Sequence, residues 1–185
     1  MKLIKLLRSL AVLLVSVSAL TTLQAQELSE HRRQEIDLNA TQVLEELLAQ
    51  RSNADELYEQ AVGYAVFSAT KAGFIVSGGR GTGVVVDKST GARTYMRMFT
   101  GGVGLGIGAQ NYDLILLFQT PARLQQFIAG SWDANTSAHA AAGTDGIGVA
   151  ATFIDGVAVY QITDSGLMAW ADVSGTRFRV LDPAD

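Results

Sequence analysis

Cysteine is absent from the sequence, and histidine occurs only twice. The chain therefore forms no disulfide and no thiolate metal site, and it offers no cysteine for lipid attachment. The two histidines, His31 and His139, lie far apart and outside any metal-ligand spacing. Ser137, His139 and Asp145 have the residue types of a hydrolytic triad, but no nucleophile-elbow motif accompanies them. The sequence thus predicts no metal, no cofactor and no enzyme.

A hydrophobic run long enough to cross a membrane is also missing. The apolar run Leu10–Leu20 has 11 residues, whereas a membrane-spanning helix needs about 20. It follows a basic start, Met1–Arg8, and precedes a polar stretch that ends at Ala25, which is the order of a secretory signal peptide. We expect cleavage near Ala25 and a periplasmic or secreted protein that is not a lipoprotein. An uncleaved amphipathic anchor is the alternative.

An excess of positive charge is the third absence. The chain has 14 basic and 18 acidic residues, and its net charge is −4. Loss of residues 1–25 would remove Lys2, Lys5 and Arg8 but no acid, and the net charge would become −7. Nucleic acid is therefore not an expected partner. Residues 26–185 have the length of a single domain that can bury a core without metals or disulfides.

Helical patterns are present at three places. Between residues 28 and 51 apolar side chains recur at helical spacing, with acids mostly on the other side, which predicts an amphipathic helix. The segment Asn53–Glu56 is typical of a capped helix start, and we expect this second helix to run to about Val62, with Gly63 ending it. A third helix is predicted to begin at Thr120–Pro121, with threonine as the cap, and to end at Gly130.

Most of the remaining chain follows a strand period. The predicted strands are Tyr64–Phe67, Phe74–Val86, Ala92–Phe99, 102–109, Leu114–Phe118, Ile147–Phe153, Val157–Thr163, Leu167–Val173 and Arg177–Leu181. Tight turns such as Asp87–Gly91 favour antiparallel pairing, and the last four strands are interpreted as a meander. Leu114–Phe118, apolar on both faces, is expected to be central. The predicted fold is α+β: a largely antiparallel glycine-rich sheet or partly closed barrel, with N-terminal helices and one inserted helix.

Glycine occupies every even position from 102 to 108, with an aliphatic residue between each pair. This period of two is typical of a strand. Residues 104–109 match a loose dinucleotide-binding fingerprint, but that fingerprint leads from a strand into a helix, and here another strand-like run follows. We therefore interpret the glycines as structural, at a place where another element packs directly on backbone. They are Gly102, Gly104, Gly106 and Gly108.

Four aspartates recur near the C-terminus: Asp145, Asp155, Asp164 and Asp172. Paired carboxylates perform glycoside hydrolysis. Three of the four, however, lie at predicted turns, where aspartate bonds nearby backbone amides. Asp172 falls inside a predicted strand, and an edge position or an arginine partner would accommodate it.

A basic and aromatic stripe is the strongest candidate site. Arg93, Tyr95 and Arg97 share one face of a predicted strand because side chains alternate along it. Guanidinium groups bind phosphate oxygens through paired hydrogen bonds, and basic clusters attract anionic headgroups. The alternative is a solvated face whose charges pair with the acids. The candidate lipid-binding residues are Lys71, Arg80, Arg93, Tyr95 and Arg97.

Several segments resemble the SYLF domain family: Ala65–Phe67, Lys71–Phe74, Gly78–Gly81, Thr100–Gln110, Asp113–Phe118 and Ala140–Gly143. Eukaryotic members bind phosphoinositides and assist actin-linked membrane remodelling, and bacterial members are exported. The resemblance covers nearly all of residues 26–185 and implies one SYLF-like, lipid-binding domain without catalysis. We thus expect an exported module of the cell envelope that binds anionic phospholipid at a membrane surface. The alternative is a structural or protein-interaction module of the envelope, with a protein partner and no lipid binding.

Overall fold

The computed structural model describes residues 29–49, 53–73, 76–103, 108–130, 152–163, 166–168 and 175–181. The chain divides into two units, residues 1–35 with 182–185 and residues 36–181. In the first unit, His31 Nδ1 lies 3.5 Å from Glu35 Oε1, and Arg33 Nη1 lies 3.4 Å from Glu30 Oε1, all within one helix. The predicted signal peptide, residues 1–25, lies outside the described residues and stays a prediction.

Helices and strands are both present in the described ranges, so the predicted α+β class is confirmed. The helices are α1 (29–49), α2 (Ala54–Gln60) and α3 (Pro121–Ile128). The strands are β1 (Gly63–Gly73), β2 (Val76–Asp87), β3 (Arg93–Val103), β4 (Gly108–Phe118), β5 (Val157–Thr163), β6 (Gly166–Met168) and β7 (Thr176–Val180). None of the helices in these ranges has both the length and the apolar character that crossing a membrane requires.

The strands form one sheet in the order β6-β5-β4-β1-β2-β3-β7, and every pairing is antiparallel. Of the two predicted alternatives the open sheet is observed, since no pairing joins β6 to β7 within the described strands. Leu114–Phe118 is fully buried between β1 and β5, which confirms the predicted central strand. The predicted C-terminal meander is wrong for its last strand. β7 pairs with β3 at the opposite edge from β5 and β6, because Met96–Thr100 supplies its hydrogen-bonding partner.

The two faces of the sheet are covered by different helices. We call them the α1 face, which carries Val66, Ile115 and Tyr160 under α1 and α2, and the α3 face, which carries Phe67 and Leu116 under α3. Apolar residues of α1 at helical spacing are buried against the α1 face: Ile36, Ala40, Val43, Leu44 and Leu47. This burial is the main reason that the amphipathic helix forms, since isolated helices are marginal in water.

Helix α3 begins and ends as its sequence predicts. The Thr120 hydroxyl accepts a hydrogen bond from the Arg123 backbone N–H at 3.3 Å, and Pro121 occupies the first turn. Gly130 follows the helix with φ +70°, a conformation that favours glycine. Phe127 is buried on the α3 face, with its ring centroid 5.0 Å from that of Phe118 and 4.7 Å from that of Phe178.

The predicted cap of α2 is wrong in its chemistry, although α2 begins where predicted. Asn53 makes no side-chain cap, because its Oδ1 accepts a hydrogen bond from the Tyr160 hydroxyl at 3.2 Å. The helix also ends at Gln60, two residues before the predicted end at Val62. Ala61 is already extended, and Gly63 is the buried first residue of β1, where a Cβ would lie 2.7 Å from the Val86 carbonyl oxygen.

Strand β2 contains close-packed glycines, at positions other than the predicted ones. Residues 102–109 do not form one strand, because Gly102 belongs to β3 and Gly108 to β4, and these strands are not neighbours. Gly104 and Gly106 lie outside the described residues. Instead, a Cβ at Gly81 would lie 2.5 Å from the Ser68 carbonyl oxygen, and one at Gly83 would lie 2.5 Å from the Phe67 ring. These glycines let β1 and β2 approach closely on the α3 face.

Candidate anion-binding site

Strand register brings four arginines together around one phenylalanine on the α1 face. Arg80 in β2, Phe99 in β3 and Arg177 in β7 lie directly opposite one another across three strands. Arg97 and Arg179 are paired in the next row. Because neighbouring strands are about 4.8 Å apart and residues two apart on a strand about 6.6 Å, the backbone positions cluster closely. We call this set, Arg80, Arg97, Phe99, Arg177 and Arg179, the arginine patch.

Three of the four arginines in the arginine patch are open to solvent. Arg80, Arg177 and Arg179 are exposed, and none of them takes part in an ion pair among the described residues. Phe99 is 45% exposed and offers apolar surface between Arg80 and Arg177. Like charges directly opposite on neighbouring strands, as in the pair Arg97 and Arg179, are destabilising. An external anion would offset that repulsion.

The structure separates the residues that the sequence placed in one site. Arg80 and Arg97 belong to the arginine patch. Lys71 lies on the opposite, α3 face, because it is one residue out of phase with Thr70, which pairs with Arg80. Arg93 and Tyr95 also lie on the α1 face, but both contact Asp37 of helix α1.

Asp37 on α1 binds both Arg93 and Tyr95. Its Oδ1 lies 2.7 Å from Arg93 Nη1, and its Oδ2 accepts a hydrogen bond from the Tyr95 hydroxyl at 2.9 Å. This carboxylate raises the pKa of the Arg93 guanidinium above its ordinary value, mainly through its hydrogen bond; burial opposes the rise, and the charge of Asp37 adds to it. The contacts fix the start of the buried part of α1 over β3.

A second polar contact fixes α1 over the middle of the sheet. Asn39 donates a hydrogen bond to Ser68 Oγ at 2.5 Å, and the Ser68 hydroxyl donates to Asp113 Oδ1. Burial raises the pKa of the Asp113 carboxyl, and the hydrogen bond from Ser68 opposes that rise. Three elements, α1, β1 and β4, therefore meet through one chain of hydrogen bonds.

Catalytic or metal-binding arrangements are not assembled by the described residues. They contain no group of three histidine or carboxylate side chains that could hold a metal ion. Asp155 lies in a turn with φ +51°, as predicted, and its carboxylate binds the Arg123 side chain. His139, Asp145, Asp164 and Asp172 lie outside the described residues, so their predictions stay untested.

Phe99, Arg177 and Arg179 are the site residues that sequence reasoning missed. The alternation Arg177-Phe178-Arg179 does place both arginines on one face of a predicted strand. What the pattern lacks is the position of that strand, because β7 joins β3 through hydrogen bonds between residues 76 or more positions apart in sequence. Once β7 is placed beside β3, the four arginines converge.

An α+β domain with an exposed cationic patch on its sheet fits the class of binding modules. Residues 99–184 match the family model described as "Ysc84: Las17-binding protein actin regulator". The chain is 34% identical over 143 residues to "Beta cell expansion factor A" of Aeromonas veronii. The matched region covers 77% of this chain and 55% of that protein. The chain thus spans about half the length of this relative. These matches confirm the resemblance to the SYLF family that the motifs indicated, over residues 99–184 for the family model and over 143 residues for this relative.

Proposed function

We propose that this protein is an exported, non-enzymatic module of the cell envelope that binds anionic phospholipid through the arginine patch. The observation that carries the proposal is a cluster of three exposed arginines with no ion pair among the described residues, around an exposed phenylalanine. The signal-peptide pattern of residues 1–25 supports export, and the family supports a binding role.

Each part of the arginine patch has a physical task in this proposal. Guanidinium groups bind phosphate oxygens through paired, charge-assisted hydrogen bonds. Each basic residue near an anionic membrane surface contributes about 1 kcal/mol. Phe99, between Arg80 and Arg177, adds apolar contact at the headgroup boundary. Because the rest of the chain is net acidic, repulsion orients the protein with the patch toward the membrane.

The test is cosedimentation of the protein without residues 1–25 with vesicles of anionic phosphatidylglycerol mixed with phosphatidylcholine, and with phosphatidylcholine alone. We expect binding to the anionic vesicles that weakens between about 50 and 300 mM salt, because exposed charges are screened. The double variant Arg177→Gln/Arg179→Gln should bind at least ten-fold more weakly, at about 1 kcal/mol for each arginine.

Lys71→Gln is the matched control, because it removes a positive charge from the α3 face. It should bind more tightly than the double variant and close to wild type. Equal binding to anionic and neutral vesicles would contradict the lipid proposal, and equal losses in Lys71→Gln and the double variant would contradict the assignment to the arginine patch.

A protein-interaction module is the second candidate. The observation that favours it is the description of the matching family, which names a protein partner, Las17. In that case vesicle binding is absent, and crosslinking in cells captures an envelope protein whose recovery is lowered by Arg177→Gln/Arg179→Gln but not by Lys71→Gln.

A further inference from the structure

The Asp37 carboxylate of α1 lies against Arg93 and Tyr95 of β3, and their N–H and O–H groups are donors that an anion site uses. We infer that Arg93 and Tyr95 form a second phosphate-binding position next to the arginine patch. The Asp37 carboxylate occupies this position, and a lipid phosphate would displace it. This inference rests on the proposed function, since it concerns the same surface and the same ligand. It adds an internal competitor that sets how much of the surface a membrane can use.

The Asp37 carboxylate lies within contact distance of two donors that an anion can use. One carboxylate oxygen lies 2.7 Å from a guanidinium nitrogen of Arg93, and the other accepts the Tyr95 hydroxyl at 2.9 Å. A phosphate group carries oxygens that can take the same two donors. Arg93 contacts Asp37 through Nη1, its side chain is 45% exposed, and its guanidinium carries further N–H donors. An external phosphate can therefore approach Arg93 before Asp37 leaves.

The position is continuous with the arginine patch. Arg93, Tyr95, Arg97 and Phe99 alternate along β3 and all point to the α1 face. Successive members are about 6.6 Å apart, so Arg97 is the next cation along the strand from Arg93, at about 13 Å between backbone positions. With Asp37 in place, an acid neutralises Arg93 at the near end of this stripe, and without it Arg93 is a further cation beside the arginine patch.

Displacement of Asp37 requires little change in the fold. Helix α1 is also held by its buried apolar residues and by the Asn39–Ser68–Asp113 hydrogen bonds. The Asp37 side chain is 27% exposed and can turn toward solvent while the helix stays docked. Asp37→Asn is therefore expected to keep α1 in place, since the amide oxygen still accepts from Tyr95 while the competing charge is lost.

The test is a two-residue cycle measured by titration of phosphatidylglycerol-containing vesicles. Asp37→Asn should bind about five-fold more tightly than wild type, the effect of about one basic residue at an anionic surface. Arg93→Gln alone should change binding less than two-fold, because Asp37 already covers Arg93. In the Asp37→Asn background the same Arg93→Gln change should cancel the five-fold gain, which makes the two substitutions non-additive.

Glu46→Gln is the matched control, since Glu46 lies on the exposed side of α1 and its loss gives the same change in net charge. Thermal unfolding of each variant checks the fold. If Arg93→Gln unfolds, Arg93→Lys keeps the charge but loses the forked donors, and it should lower the Asp37→Asn gain. The inference is overturned if Asp37→Asn gains no more than Glu46→Gln, or if the Arg93 effect is equal in both backgrounds. When wild type binds and the cycle is additive, only this inference fails; when no protein binds vesicles, the proposed function fails with it.

Discussion

Replacement of Gly83 by alanine should destabilise the sheet more than any other single added methyl group in β2. A Cβ at this position would lie 2.5 Å from the Phe67 ring and 2.8 Å from the Phe67 Cα, and closer still to the Val66 carbonyl oxygen. Real Cβ atoms essentially never come within 3.0 Å of another heavy atom, and β1 cannot retreat easily because β4 pairs with its other edge. Overpacking costs about 1–3 kcal/mol, and contact with backbone favours the upper end, about 3 kcal/mol.

The assay is urea unfolding followed by circular dichroism, with Gly78→Ala as the matched control. Gly78 lies in the same strand, but a Cβ there meets no atom within 4 Å. Because alanine loses less backbone freedom than glycine on folding, Gly78→Ala should be neutral or stabilising by about 0.5–1 kcal/mol. In thermal melts the Gly83 variant should lose roughly 6–12 °C, at about 2–4 °C per kcal/mol. If the two variants differ by less than about 1 kcal/mol, the reasoning from the close approach of β1 and β2 is refuted.

Three further changes test the core, a helix cap and a buried acid by urea unfolding. Phe127→Ala removes a buried ring that packs against Phe118 and should cost about 3–5 kcal/mol; a loss below 1 kcal/mol would contradict this packing. Thr120→Ala removes the cap of α3 and should cost about 1 kcal/mol, whereas Thr120→Ser should retain most of it. Because burial raises the pKa of Asp113, the folded state binds a proton on this carboxyl more tightly than the unfolded chain does. The stability of wild type relative to Asp113→Asn should therefore rise as the pH falls from 7 toward 4, and a pH-independent difference would contradict it.

Local signals in the sequence predicted the elements well because their causes are local. Thr120, Pro121 and Gly130 each act on the backbone within one turn of helix α3, so the residue types suffice to place its ends. The alternation of residues along β3 and β7 likewise fixes which side chains share a face. The uninterrupted apolar run Leu114–Phe118 predicted a strand covered on both sides, and it is buried between β1 and β5.

Long-range pairing is what the sequence could not supply. Nothing near Arg177 specifies that β7 joins β3 instead of β6, since this choice depends on the register between distant segments. The role of Arg93 was hidden for the same reason, because Asp37 lies on another element and reaches it only when α1 docks. Asn53 shows the converse error: its local pattern favoured a helix cap, but the Tyr160 hydroxyl takes its side-chain oxygen in the folded sheet.

The absence of cysteine from the natural sequence permits the most direct test of which face meets a membrane. Single-cysteine variants Thr70→Cys and Lys71→Cys carry an environment-sensitive fluorophore on adjacent residues of β1, one on the α1 face beside Arg80 and the other on the α3 face. On addition of phosphatidylglycerol-containing vesicles, the label at position 70 should shift to shorter emission wavelengths and the label at position 71 should not. Equal shifts at both positions, or a shift at position 71 alone, would contradict binding through the arginine patch.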